Sequence, residues 1–118
     1  MEAASRIFSV AEFIRPSDAG PVRSAVLVTE ESAVVVWYVR TGQEIAAHVH
    51  PRGQDTWTVI SGAAEYYQGG SAVAHLKAGE IAVAGPGQVH GAMNAGPEPF
   101  VFVSVVAPGD AGYAPAEK

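Results

Sequence analysis

The sequence predicts an all-β domain of short antiparallel strands, and three observations carry that prediction. Runs rich in Val, Ile, Thr, Tyr and Trp recur along the chain, each bounded by Gly, Pro, Asn or Asp, which is the pattern of strands closed by turns. Apolar residues at helical spacing are nearly absent. Only 16% of the 118 residues are charged while 48% are hydrophobic, and 13 Gly and 8 Pro punctuate them, the profile of a compact β protein. A chain of this length makes one domain that buries a core without staples. Its core is expected over about residues 22–107, with an N-terminal arm over 1–21 and a tail over 108–118.

From the amino end, Ser9-Val10-Ala11-Glu12 reads as a capping box opening one short helical turn that Pro16 ends, followed by a polar turn from Ser17 to Pro21. The expected strands then run from Ala25 to Thr29, Ala33 to Arg40, Glu44 to His50 and Thr56 to Ser61. Ala64 to Gln68 and Ala72 to Leu76 flank Gly69-Gly70, a two-residue hairpin signal. Ile81 to Ala84, Val89 to Asn94 and Phe100 to Val106 complete the set. Nine short strands in one small domain leave a sandwich or a double-sheet jelly roll, since both cover strand edges. The tail from Pro108 to Lys118 is a strap or a frayed end, with Tyr113 its expected anchor.

Composition excludes several functions. With no cysteine there is no disulfide, thiolate site or cysteine nucleophile, so any metal takes nitrogen or oxygen ligands, and the cytoplasm is the expected compartment. A net charge of -5 without a Lys/Arg cluster repels polyphosphate, so nucleic acid is not an expected partner. The amino end, Met1-Glu2-Ala3-Ala4-Ser5-Arg6, does not read as a signal peptide, and the uncharged stretch from Ile81 to Pro97 is too broken by polar residues, Gly and Pro to span a membrane.

Chemistry concentrates on the histidines. His48 and His50 lie two apart in an expected strand, so their side chains leave one face. Asp55 follows across the Pro51-Arg52-Gly53-Gln54 turn, and His90 lies in a later strand. Together they form a set of three imidazoles and one carboxylate. Strand parity groups Trp57 and Val59 with Asp55, Ala46 and Glu44 with the histidine pair, and Ala92 with His90, as a small apolar pocket lining. An inward Trp57 is read first as core and second as a stacking surface. His75, beside Lys77, reads as a surface histidine.

The spacing resembles the cupin superfamily. Its first motif places a glycine, His-x-His, an acid and a second glycine at intervals occupied here by Gly42, His48, His50, Asp55 and Gly62, with Asp in place of the family's Glu. Its second motif is matched by Gly79, Gly85-Pro86-Gly87, His90 and Asn94, with the proline displaced by one position. Sixteen residues separate Gly62 from Gly79, a length typical of small members. The resemblance implies a double-stranded β-helix, the cupin jelly-roll barrel. It also implies one divalent transition metal per chain held by His48, His50, His90 and the residue in the acid slot. Asp55 is preferred there because it keeps the six-residue interval to Gly62 and supplies charge; Gln54 is the alternative ligand. Imidazole plus carboxylate suits Fe, Mn, Ni, Cu or Zn. Asn94, before Ala95-Gly96-Pro97, is read as a turn former rather than a ligand, and Gly42, Gly62, Gly79 and Gly87 as turns needing positive φ.

Members of this superfamily act on small organic substrates as dioxygenases, isomerases or epimerases, lyases and decarboxylases, and the resemblance implies a metal-dependent enzyme of that kind. No residue stands out as general acid or base. The alternative functions are a non-catalytic small-molecule or sugar sensor and a structural metal clip. A homodimer is expected, because small cupins often pair and Val34-Val35-Val36-Trp37 is apolar enough to be covered on both sides.

Overall fold

The computed structural model describes residues 5–118; Met1 to Ala4, on which part of the reading of the amino end rests, lie outside the described residues. Alternating apolar runs fold into β1 (Val22–Val28), β2 (Ala33–Val39), β3 (Glu44–Val49), β4 (Gln54–Ser61), β5 (Ala63–Gly69), β6 (Ala72–Lys77), β7 (Ile81–Ala84), β8 (His90–Met93), β9 (Phe100–Ala107) and β10 (Ala114–Pro115). They make two five-stranded antiparallel sheets, ordered β1-β2-β9-β4-β7 and β10-β3-β8-β5-β6. Successive strands from β2 to β5 and from β6 to β9 therefore alternate one by one between the sheets, with β5 and β6 joined as a hairpin, which is the jelly-roll path. No helix among the described residues is long and apolar enough to cross a membrane.

Burial follows the two-residue period. In β4 the inward row is Asp55, Trp57 and Val59, and in β9 it is Phe100, Phe102 and Ser104, all buried. Val39, Ile45, Ala64, Tyr66, Leu76 and Ala92 complete the cluster between the sheets. Trp57 stacks on Phe102 with centroids 4.0 Å apart and meets Tyr66 edge-on at 5.2 Å. Each such ring stabilises the fold by about 1.5–3 kcal/mol through burial alone. This packed floor fills the barrel below and leaves its other end to the site.

Four expectations change. The turn at Val10–Phe13 forms as a 3-10 helix, but Ser9 makes no side-chain cap; the Ser9 carbonyl accepts from the Glu12 amide instead. In this short turn the Glu12 amide that a capping serine hydroxyl would engage is already taken by a main-chain carbonyl. The first strand begins at Val22, because β1 zips onto Tyr38 in β2. The tail is a strap: Ala114 and Pro115 pair with Val49 and His48, and the Ala116 amide donates to the Ala47 carbonyl. Finally, the middle of the Val34–Trp37 run, Val35 and Val36, is buried within the chain, while Val34 and Trp37 are half-buried. Val35 packs inward, while Val36 is 1% exposed under a groove that it shares with Phe8, Val10 and Phe13 of the N-terminal arm.

Two departures from regular pairing position the site. Ile45 pairs with Ala92, but His48 rather than Ala47 pairs with His90, so one extra residue bulges from β3. Unbroken parity from inward Ile45 would turn His48 and His50 outward; the bulge turns them in. On the facing strand Gly91 permits the bulge. A Cβ there would lie 2.7 Å from the Ile45 carbonyl oxygen and 3.0 Å from that of Ala46.

Candidate metal centre

Both sheets contribute to the cluster. β3 carries His48, and the residue after its last position is His50; β8 opens with His90; β4 brings Asp55 from the opposite sheet. One ligand atom from each of the four lies within 4.8 Å of all the others. The His48 and His90 rings, paired across the ladder, have centroids 4.1 Å apart. His48, Asp55 and His90 are buried and His50 is half-buried.

Backbone carbonyls set the tautomer of every imidazole. Nδ1 of His48 lies 2.8 Å from the Ala46 oxygen, Nδ1 of His50 2.8 Å from that of Gly112, and Nδ1 of His90 3.1 Å from that of Gln88. A carbonyl only accepts, so each Nδ1 carries a hydrogen, and each Nε2 is left to bind an ion through its lone pair or, when the ring is protonated, to donate, as Nε2 of His50 and His90 do to Asp55. Burial, above all, pushes His48 down to about 4, against the opposing hydrogen bond to Ala46. It is a neutral ligand at physiological pH.

Asp55 is 4% exposed. Burial raises its carboxyl, but hydrogen bonds from His90 and Ser104 outweigh that and hold it below the ordinary aspartate value. Ser104 Oγ donates to Oδ1 at 2.5 Å, leaving Oδ2 facing Nε2 of His90 at 3.0 Å and Nε2 of His50 at 3.2 Å. These distances test the fit of a metal. His50 and His90 each face an acceptor at both nitrogens, so without an ion both rings would have to be doubly protonated against one carboxylate. A divalent cation among the three Nε2 lone pairs and Oδ2 satisfies all four groups with no extra proton. The residues fit such an ion.

Gln54 turns outward and is exposed, as strand alternation requires of Asp55's neighbour, so of the two it is Asp55 that lies in the cluster. Asn94 is fully buried in a structural role: its amide donates to the carbonyls of Val39 and Glu98, and its oxygen accepts from the Gly96 amide. His75 is exposed beside Glu65. Gly42, Gly62, Gly79 and Gly87 all have positive φ.

A cavity of about 370 Å³ opens onto His48, His50 and Asp55. Trp57 lines it while also belonging to the core, and Ala46 lines it at an exposed position. Glu44 and Ala46 line it together with His48 and His50, on either side of the β3 bulge. Val59 and Ala92 do not line the cavity; they pack in the core cluster. Several lining residues had no expected role: Arg23, Trp37, Ile45, Ser104 and Val106. Ser104 was findable, as the polar member of the inward row Phe100, Phe102, Ser104. The partners Gly112 and Gln88 act through main-chain oxygens and leave no trace in residue type. Tyr113 is not the buried anchor of the tail. It is 64% exposed and its ring stacks on His48 at 5.1 Å, so it roofs the site.

The sequence matches the family model of the cupin domain over residues 35–106. No curated protein matches it. Among solved structures, the chain is similar to a conserved protein with a double-stranded β-helix domain from Klebsiella pneumoniae, at 71% identity and a TM-score of 0.94, covering 98% of this chain and 100% of that one. It is also similar in fold to the protein TT1209 from Thermus thermophilus, at 23% identity and a TM-score of 0.82 over 88% of this chain and 98% of that one. An RmlC-like cupin protein from Desulfovibrio desulfuricans aligns at 24% identity and a TM-score of 0.74, over 92% and 98% of the two chains.

Proposed function

The chain belongs to the cupin domain family, and from that premise we propose that it is a metal-dependent enzyme acting on a small, oxygen-rich organic molecule. One observation carries the reading: three imidazoles and a carboxylate converge within 4.8 Å, with every Nδ1 engaged by a main-chain oxygen. His48, His50, His90 and Asp55 would hold one divalent transition ion. Such an ion would supply Lewis acidity, and redox capacity if it is Fe, Mn, Ni or Cu, to the oxygens of a substrate.

The protein's own contribution is orientation and exclusion of water. Ser104 commits one oxygen of Asp55 and so presents the other as a single ligand atom. Trp37, Trp57, Ile45 and Val106 give the cavity apolar walls, which strengthen any electrostatic interaction made inside it. Tyr66 stays a neutral phenol, pushed up to about 12 first by burial and then by the charge of Asp55. It therefore adds no second anion to the site.

The test is anaerobic reconstitution with Fe(II), followed by oxygen uptake and product analysis against diols and 1,3-diketones, with zinc- and nickel-loaded protein assayed for isomerisation and bond cleavage. Turnover that disappears in His90→Ala supports the reading. Tight binding of these compounds with no product under any metal would replace it with the non-catalytic binding module.

A further inference from the structure

The cavity's polar groups are unequal in their commitments. Ser104 already donates to Asp55, and Glu44 already accepts from Tyr67 and, at 3.1 Å, from Lys118. Arg23 is different. It lies on β1 directly opposite inward-facing Trp37 of β2, so strand pairing puts its side chain on the concave face, and it lines the cavity. Among the described residues it has no ion pair and its side chain makes no hydrogen bond. The indole Nε1 of Trp57 is buried and serves the charge of Asp55, which it helps to hold down, so it is closed to a ligand in the cavity.

A full positive charge without a partner on the cavity wall suits acceptor oxygens that carry negative charge. The ion site points the same way. A divalent ion offset by a single carboxylate and three neutral imidazoles retains a net positive charge, so it favours an anionic chelator. The walls between these two positive ends are flat, with Trp37 and Trp57 inside and Tyr113 at the rim. A volume of about 370 Å³ is at the small end for ligand pockets and suits a single ring or a short conjugated chain.

Resting on the metal-dependent reading above, we propose that the substrate is a small planar carboxylate whose paired oxygens face the ion site while its carboxylate is held by Arg23. The planar guanidinium matches a carboxylate with two parallel hydrogen bonds. Arg23 is thus a specificity residue, and neutral analogues with the same chelating end bind more weakly.

The test uses zinc-loaded protein, because zinc binds without oxidising the probe. Calorimetric titration compares 3,4-dihydroxybenzoate with catechol, which has the same diol and no carboxylate, and the zinc content of each sample is measured alongside. The expected result is at least a tenfold preference for 3,4-dihydroxybenzoate in the wild type, falling to near parity in Arg23→Gln and only partly restored in Arg23→Lys. A zinc-loaded wild type with no preference, or a preference that persists in Arg23→Gln, overturns the assignment while leaving the metal site intact. Failure of the wild type to take up zinc at all overturns the metal-dependent reading, and this assignment with it.

Discussion

Asp55 shows how much of the site rests on a single side chain. Burial alone would raise its carboxyl; the hydrogen bonds from His90 and Ser104 pull it below the ordinary aspartate value. Asp55→Ala is expected to reduce bound metal at least tenfold, whereas Gln54→Ala, altering an exposed side chain, leaves it unchanged; metal analysis after gel filtration reads both. Ser104→Ala removes the group that fixes the orientation of the carboxylate, and partners of this kind change affinity about 10- to 100-fold. Competition against a chelating dye should show that loss, and equal affinity in variant and wild type would count against the orienting role. At this scale the ligands were legible because strand-borne imidazoles and an acid at fixed intervals leave a mark in residue type. The carbonyls of Ala46, Gln88 and Gly112 leave none.

Among the elements, the bulge in β3 is the decisive local feature. It reverses the parity of the strand before His48, and the only trace in the facing sequence is Gly91. Gly91→Ala puts a methyl group against the Ile45 and Ala46 carbonyls and must part β3 from β8, which carry His48 and His90. Lower metal occupancy is expected together with a loss of stability of about 1–3 kcal/mol from overpacking, read as a lower melting temperature. Retention of both would show that the strands tolerate the separation. Strand positions were readable from alternation, but the bulge was not: alternation predicts regular pairing, and the extra residue is fixed by contacts across the ladder. The strap was ambiguous for a similar reason. Its strand of two residues is too short to alternate, yet it delivers Gly112 to His50 and Tyr113 to His48.

For the whole molecule, the jelly roll was legible because nine apolar runs with turn punctuation admit few closed arrangements, and because two glycine-framed motifs sit at family spacing. The homodimer is a proposal of a different kind. Val35 and Val36 are buried within the chain itself, and the proposed contact for a second copy is the edge strand β7, where Ile81 and Val83 are 63% and 53% exposed. Light scattering should give twice the mass of the chain, and a monomer at high concentration would contradict the proposal. Acid sensitivity also belongs to the molecule as a whole. His48 titrates at about 4 when folded and near 6.5 when unfolded, so between those values the unfolded chain takes up a proton that the folded one refuses. In metal-stripped protein, stability is therefore fully present above about pH 6.5 and falls as the pH drops toward 4. The depressed Asp55 carboxyl adds to the loss at the acid end. Thermal midpoints across that range should decline steadily in the wild type and less steeply in His48→Gln.

Anomalous diffraction from crystals of protein purified without chelators, collected at the absorption edge of the metal found, addresses the central claim directly. The account predicts one peak per chain, at about 2.0–2.2 Å from Nε2 of His48, His50 and His90 and from one oxygen of Asp55. An empty cluster in protein supplied with metal, or a peak held by other residues, would contradict it.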